Sequence, residues 1–510
     1  MFGNARAIYR YFMLFCLAEY LIIKQHGSAK PLKIQRRGNE FMRSQPNQQL
    51  GIAKPLVIVV IVAIASLLWF LNIDGGQKLK KQAQLKTAEV VGNIAARQLP
   101  TDVAGGFHEI PIELKQLADN VFQATGVANT HMIVTETNSV LFDTGLSIQA
   151  AQQIKQLSPV QSGGISHIIL SHSHADHIGG TKFWQEKDTQ IIAHREYREE
   201  QRYLTELEPY LWNRNRTVFP WLPEKPTTQE LFRYGGIEPN ILVDHNDYSF
   251  TEGGISFEVL STPGAEGADN LSLWLPEQKI LFSGDFFGPL WPQFPNIFTM
   301  RGEKIRKPIE YIASLNKLIA LEPKMIVPSH HLPVEGEENI RAGMIKMRDA
   351  VQYVHDEVIA GMNAGKTVYQ LMDEIALPAE LDLTQEHGKV SWAVKSIWEY
   401  YATWFHFDTT TELYSVPRQA LDAELGALVG VDKLLAKAQS HFDQQQAIHA
   451  LHYLELALAV EHNNRQALTL RRTVLEYLLE QAVNSTGNNY EKDYLRARIN
   501  VTQATLDNTE

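Results

Sequence analysis

Residues 171–180 read SHSHADHIGG, and within six positions they set out four side chains able to ligate a cation: His172, His174, Asp176 and His177. They follow the apolar run HIIL, so the pattern predicts a loop at the C-terminal end of a strand, with Gly179 and Gly180 letting the backbone enter a helix closely. The alternating His172 and His174 point one way, toward a first ion, while Asp176 and His177 reach a second ion beside it. Imidazole and carboxylate ligands suit zinc, and thiolate ligation is excluded because Cys16 is the chain's one cysteine. Further ligands are expected at equivalent strand ends. Asp285 closes KILFSGD, where its two oxygens can bridge a pair of ions. His330 follows MIVPS, with His331 beside it as the alternative ligand. Asp143, after SVLF, is expected to stand behind a ligand histidine as acceptor for the ring's second nitrogen.

These positions need strands that end together. Between residues 107 and 345 the chain alternates short apolar runs with turn residues (HMIVTE, SVLFDTG, QIIAHRE, ISFEVLSTPG, LSLWLPEQKILFSGD), interspersed with helical segments. That mixture predicts an α/β fold of stacked sheets with helices outside them. Beyond Gly336 strands give way to long amphipathic patterns. Residues 346–415 are read as a helical connecting region and 416–510 as an all-α, tetratricopeptide-like unit whose few helix pairs need a further surface to bury their apolar face.

The motifs resemble those of the metallo-β-lactamase superfamily, and among them those of the alkylsulfatase branch. The superfamily usually supplies another histidine just after a Thr-Pro-Gly, but STPGAEGADN places Ala265 there. Glu266 follows, nineteen residues before Asp285, an arrangement similar to the alkylsulfatases, in which a glutamate replaces that histidine. The likeness includes VANTHMIVTE, NLSLWLPEQKILF, MRGEKIR, SHHLP and HDEVIAGMNAG, and it extends through a stretch similar to the family's dimerisation domain. It implies a metallo-β-lactamase αββα sandwich at 107–345 and a homodimer through the C-terminal helices at 416–510. It also implies two Zn2+ ions per chain: one on His172, His174 and Glu266, the other on Asp176, His177 and His330, with Asp285 between them. A metal-bridging hydroxide is then the expected nucleophile, Asp176 and Asp285 the catalytic acids that hold it, and Arg301 and Arg306 the fork for an anionic ester. Three departures stand out. Asp285 is shorter than the family's usual glutamate, no histidine lies between Asp285 and Arg301, and a sterol-carrier-like domain has no counterpart in these 510 residues. The replacement loop gathers Phe286, Phe287, Leu290, Trp291, Phe294 and Phe298, either as the wall of an apolar cleft for an amphiphilic substrate or as core or dimer packing.

Charge narrows the partners. Residues 1–54 form a basic tail of net charge +7, leaving −18 for the rest of a chain at −11, and so acidic a body argues against a nucleic-acid partner. PLVIVVIVAIASLLWFLNI (55–73) holds nineteen uncharged residues, about 28 Å as a helix, and is read as a single transmembrane helix. Residues 74–106 would be a helical stalk or linker, and the catalytic domain would lie on the outer (periplasmic or extracellular) side. Met42 is an alternative start. The expected activity is hydrolysis of sulfate esters. Hydrolysis of a phosphodiester, lactone or thioester is the alternative, and a membrane-tethered scaffold with a vestigial metal site is the second.

Overall fold

The structure, a computed structural model, describes residues 111–218, 237–298 and 300–509, together with residue 224 and parts of 79–89. Seven strands form the first sheet in chain order: β1 (Leu114–Ala118), β2 (Val121–Ala124), β3 (Thr130–Val134), β4 (Ser139–Phe142), β5 (Ile165–Ile169), β6 (Gln190–His194) and β7 (Ile241–Val243). Hairpin-length connections make β1 to β4 antiparallel, whereas β4 to β7 run parallel. The second sheet holds β8 (Tyr248–Glu252), β9 (Ile255–Ser261), β10 (Leu271–Leu275), β11 (Ile280–Gly284), β12 (Met325–Pro328) and β13 (Val334–Glu335), in the order β13-β12-β11-β10-β9-β8. Its one parallel pair is β11 with β12.

Period-2 alternation decides which layer each side chain enters. Val140 and Phe142 of β4 meet Phe257, Val259, Leu273 and Phe282 between the sheets. Leu141 points the other way, onto Ile154 and Leu157 of α1 (Ser147–Leu157). Burying each such side chain contributes roughly 1.5–3 kcal/mol. Four more helices lie along the first half of the chain: α2 (Ala175–Ile178), α3 (Thr181–Trp184), α4 (Tyr197–Glu206) and α5 (Glu208–Val218). The outer face of the second sheet, with Leu281 and Ile326, is covered by Tyr311 and Leu315 of α6 (Pro308–Ile319) and by Met344 and Val351 of α7 (Glu337–Asn363). The helices α8 (Val368–Glu374) and α9 (Val390–Ala402) extend that layer through Leu371, Val394 and Ile397. The expected αββα sandwich is therefore present, and the region read as a connector supplies part of its outer layer.

The C-terminal unit is all helical: α10 (Asp422–Val429), α11 (Val431–Asp443), α12 (Ala447–Val460), α13 (Arg465–Asn484) and α14 (Asn489–Asp507). Short loops make α11 to α14 antiparallel neighbours, joined on the α11–α13 side by Leu434, Ala438, Ala450, Leu454, Ala467 and Val474. Asn464 caps α13 by accepting from the Ala467 amide at 2.9 Å, and Asn488 caps α14 through the Glu491 amide at 3.2 Å. The second cap sets Tyr490 against Phe298 and Val218, so the last helix returns to the sandwich. Among the described residues no helix is long and apolar enough to cross a membrane. The run at 55–73 and the tail before it lie outside the described residues.

Candidate metal centre

The parallel strands β4 and β5 end side by side, and so do β11 and β12, which brings four loops to one edge of the sandwich. Gly179 and Gly180 let the histidine-bearing loop lie against residues 144–147: a Cβ on Gly180 would stand 2.1 Å from the Thr144 carbonyl oxygen. Gly284, at φ +60°, lets β11 approach Ser171, whose Cβ would stand 2.6 Å from an added one. Asp143 adopts a left-handed φ of +54° and is fully buried, a conformation aspartate tolerates better than most residues. Its Oδ1 accepts the Ser171 amide at 2.8 Å. Its Oδ2 accepts the Ser171 hydroxyl (2.8 Å), the Ser329 hydroxyl (2.5 Å) and His177 Nδ1–H (2.8 Å).

These bonds fix tautomers. His177 donates through Nδ1 and turns Nε2 inward, 3.3 Å from Asp285 Oδ2 and 3.6 Å from Asp176 Oδ2. His330 donates Nδ1–H to the Val127 carbonyl at 2.6 Å, leaving Nε2 3.1 Å from Asp285 and 3.5 Å from Asp176. His172 donates to the Ser171 hydroxyl at 2.9 Å, so its Nε2 faces His174 Nδ1 at 2.8 Å, and that nitrogen stands 3.7 Å from Glu266 Oε2. Three overlapping groups of ligand atoms result: His172, His174 and Glu266; Asp176, His177 and His330; and His172, His177 and Asp285, which joins the other two. All seven expected ligands converge. His331 is exposed, at φ +62°, and only its carbonyl reaches inward, accepting from Asn129, so the ligand position falls to His330.

The donor set fits a pair of divalent cations on two grounds. His177 Nε2 and Asp285 Oδ1 are buried with no hydrogen-bond partner, which costs free energy unless something electrophilic meets them. Burial opposes charge on His177, yet Asp285, Asp176 and Asp143 raise its pKa well above the usual histidine value. Burial likewise opposes charge on His330, and Asp285 and Asp176 raise it to about 9. Such an excess of carboxylate is the field a cation relieves.

Arg301 and Arg306 stand beside this centre. Arg306 is sealed from solvent and grips Glu266 through two bonds, Nη1 to Oε1 at 3.1 Å and Nη2 to Oε2 at 2.9 Å. Arg301 Nη2 reaches the same Oε2 at 3.2 Å. Between them in sequence lies Glu303, which the sequence reading passed over. Its Oε1 accepts His174 Nε2–H at 3.1 Å and Arg301 at 3.0 Å, and its Oε2 accepts Arg306 at 2.8 Å. Although burial raises the Glu303 pKa, Arg301, His174 and Arg306 outweigh it and hold the carboxyl well below its usual range. A carboxylate inside RG-xxx-R was the available signal, since a charge placed between two arginines has partners at hand.

A cavity of about 180 Å³ opens beside these groups, lined by His174, Glu266, Asp269, Glu303, Lys304 and Tyr203 among others. Its wall is polar. The aromatic loop lies elsewhere: Phe286, Phe287, Phe294 and Phe298 are buried, and Phe286 stacks on Tyr311 with centroids 4.8 Å apart. Of the two readings of that loop, core packing is what the structure shows. Two side chains from the helical region approach instead. Tyr490 reaches Asn296, whose carbonyl accepts from Arg306 at 2.6 Å, and His387 packs on Tyr490 at 5.4 Å between centroids. Burial lowers the His387 pKa to about 4. No local pattern marks either residue.

Residues 124–330 match the metallo-beta-lactamase superfamily, and residues 367–498 match the alkyl sulfatase dimerisation family. The chain carries a metallo-β-lactamase domain and an alkyl sulfatase dimerisation domain. Its relatives include a linear primary-alkylsulfatase of Pseudomonas sp. (strain ATCC 19151), 28% identical over 70% of this chain and 72% of the relative. Another is an alkyl/aryl-sulfatase of Saccharomyces cerevisiae, 23% identical over 74% of this chain and 62% of that protein. The fold is that of a solved stereoselective inverting sec-alkylsulfatase from Pseudomonas sp., with a TM-score of 0.66 at 20% identity, over 77% of this chain and 66% of that one. The chain thus spans roughly two thirds of the length of these proteins. The metallo-β-lactamase domain is that of a metal-dependent hydrolase.

Proposed function

We propose that this enzyme hydrolyses sulfate monoesters of alkyl alcohols, using two zinc ions held by His172, His174 and Glu266 and by Asp176, His177 and His330, with Asp285 shared. The observation that carries this reading is the convergence of all seven ligand side chains beside two guanidinium groups, in a chain whose relatives include alkylsulfatases. Zinc bound there supplies Lewis acidity and lowers the pKa of water toward neutrality. The remaining work belongs to the chain. Asp143 holds the His177 ring in the tautomer that frees Nε2. Asp285 is committed to the shared position, whereas Asp176 approaches His177 and His330 through Oδ2 and keeps Oδ1 to orient water and take up its proton. Arg301 offers the more open guanidinium, a quarter exposed against 2% for Arg306, and orients the ester's anionic oxygens.

The test is a panel of alkyl sulfates, phosphodiesters and lactones, read by release of inorganic sulfate, phosphate or acid. Turnover confined to lactones or phosphodiesters would refute the ester class. Arg301→Ala should raise KM for alkyl sulfates and spare neutral lactones. One observation favours a neutral ester as the second reading: both arginines already hold carboxylates.

The matched dimerisation domain supports a homodimer through the C-terminal helices, which light scattering at graded concentration would test. The uncharged run at 55–73 supports single-pass anchoring, and the basic tail before it supports a catalytic domain outside. Membrane fractionation with external protease would oppose it if the chain stayed in the soluble fraction.

A further inference from the structure

We propose that Glu303 is a built-in counter-anion, seated on Arg301 and Arg306 where the sulfate group of a substrate must sit, and that it sets the selectivity of the site. The inference rests on the sulfate-ester reading above and concerns what that ester meets on arrival.

Two carboxylates, Glu266 and Glu303, face two guanidinium groups and His174. Glu266 belongs to one of the groups that could hold a cation, so a cation there takes up its charge, and Glu303 is a counter-charge that both arginines keep. Its two oxygens already do what two oxygens of a sulfate would do: Oε1 accepts Arg301 at 3.0 Å and Oε2 accepts Arg306 at 2.8 Å. Planar guanidinium groups meet carboxylate and tetrahedral oxyanions with the same paired N–H donors. Glu303 lines the 180 Å³ cavity together with Arg306, whose side chain is 2% exposed against 12% for Glu303. An anion that reaches Arg306 from the cavity therefore meets a fixed negative charge beside it.

Binding of a sulfate ester is consequently an exchange of one anion for another. Glu303 lies on a connecting segment between Gly302, at φ +97°, and α6, so its side chain can swing without unwinding a helix. Lys304 lines the same cavity and its ammonium already pairs with Glu199 and Glu200; it offers the displaced carboxylate a cation. A neutral ester needs no exchange and gains nothing from one.

The experiment uses the full chain and inorganic sulfate as probe, with affinity read by titration calorimetry in the absence of turnover. Glu303→Gln keeps an acceptor for His174 and removes the charge. It should bind sulfate at least about tenfold tighter than the unaltered chain, since a like charge in contact with the anion is gone. Equal or weaker binding overturns the proposal. Adding Arg301→Gln to that variant should abolish the gain, and a gain that survives lies at another site and also overturns it. Should Glu303→Gln not fold by circular dichroism, Glu303→Asp, with its shorter reach, should still bind sulfate several-fold tighter; no change refutes the idea. If sulfate affinity rises while neither protein releases sulfate from an alkyl sulfate, the counter-anion stands and the ester class falls. If the unaltered chain hydrolyses alkyl sulfates and Glu303→Gln shows no gain, the counter-anion falls alone.

Discussion

Replacing Asp143 by Asn alters one atom at the most heavily bonded point of the centre. Asn retains the left-handed backbone, and its oxygen can still accept the Ser171 amide. Its NH2 group, however, replaces the oxygen that accepts from Ser171, Ser329 and His177. The two hydroxyls can rotate and accept. The imidazole cannot do so without moving its proton from Nδ1 to Nε2, and Nε2 is the atom that faces Asp285 and Asp176. Loss of one buried charge-assisted hydrogen bond costs about 1.5–3 kcal/mol of folding free energy. The tautomer change adds a loss of roughly 10–100-fold in cation affinity, the usual effect of removing a partner of a ligand histidine. The assay is dialysis of both proteins against graded chelator, with metal per chain by mass spectrometry and urea unfolding in parallel. If Asp143→Asn held both ions at the same chelator concentration as the unaltered chain, the tautomer argument would be refuted.

If the proposed pair of ions is bound, Glu266→Ala should lower the metal content from two ions per chain to one and leave the buried Arg306 with Glu303 and the Asn296 carbonyl, costing about 1.5–3 kcal/mol; unchanged metal content would remove Glu266 from the ligand set. Gly180→Ala drives a Cβ into the Thr144 carbonyl and should cost about 1–3 kcal/mol, with a lower melting temperature as readout; an unshifted melt counts against the close approach. His131 is fully buried, with Nε2 3.2 Å from Gln123 and no partner for Nδ1, and burial lowers its pKa to about 4. As pH falls, the unfolded chain takes up this proton near 6.5 and the folded one only near 4. The stability from this site is therefore complete above about pH 6.5 and is lost progressively toward pH 4, by about 2 kcal/mol between pH 7 and pH 5. His131→Phe should flatten that part of the profile in urea titrations, and parallel profiles would contradict it.

What could be read from the sequence was what the chain encodes locally. The ligands of 172–177 sit within six positions, and Asp143, Asp285 and His330 each follow a short apolar run, so strand ends could be inferred to converge without knowing the fold. The side-chain alternation that put Val140 and Leu141 in different layers was equally visible. Glu303 was legible only in part: its arginines are neighbours in sequence, but its bond to His174 joins positions far apart. The aromatic loop was ambiguous for a related reason: a cluster of phenylalanines looks the same whether it lines a cleft or fills a core, and only packing against Tyr311 and α7 decides. His387 and Tyr490 approach from the helical region through the fold of α14, which no spacing rule anticipates.

Tyr490 lies some 160 residues beyond His330, yet it shares Asn296 with Arg306. A shortened enzyme cut after the sandwich would keep every ligand and still lose the tyrosine that meets Asn296, uncovering one side of Phe298. Anyone seeking a minimal catalyst from this scaffold should retain the final helix, and substitutions along it belong in any search for altered turnover.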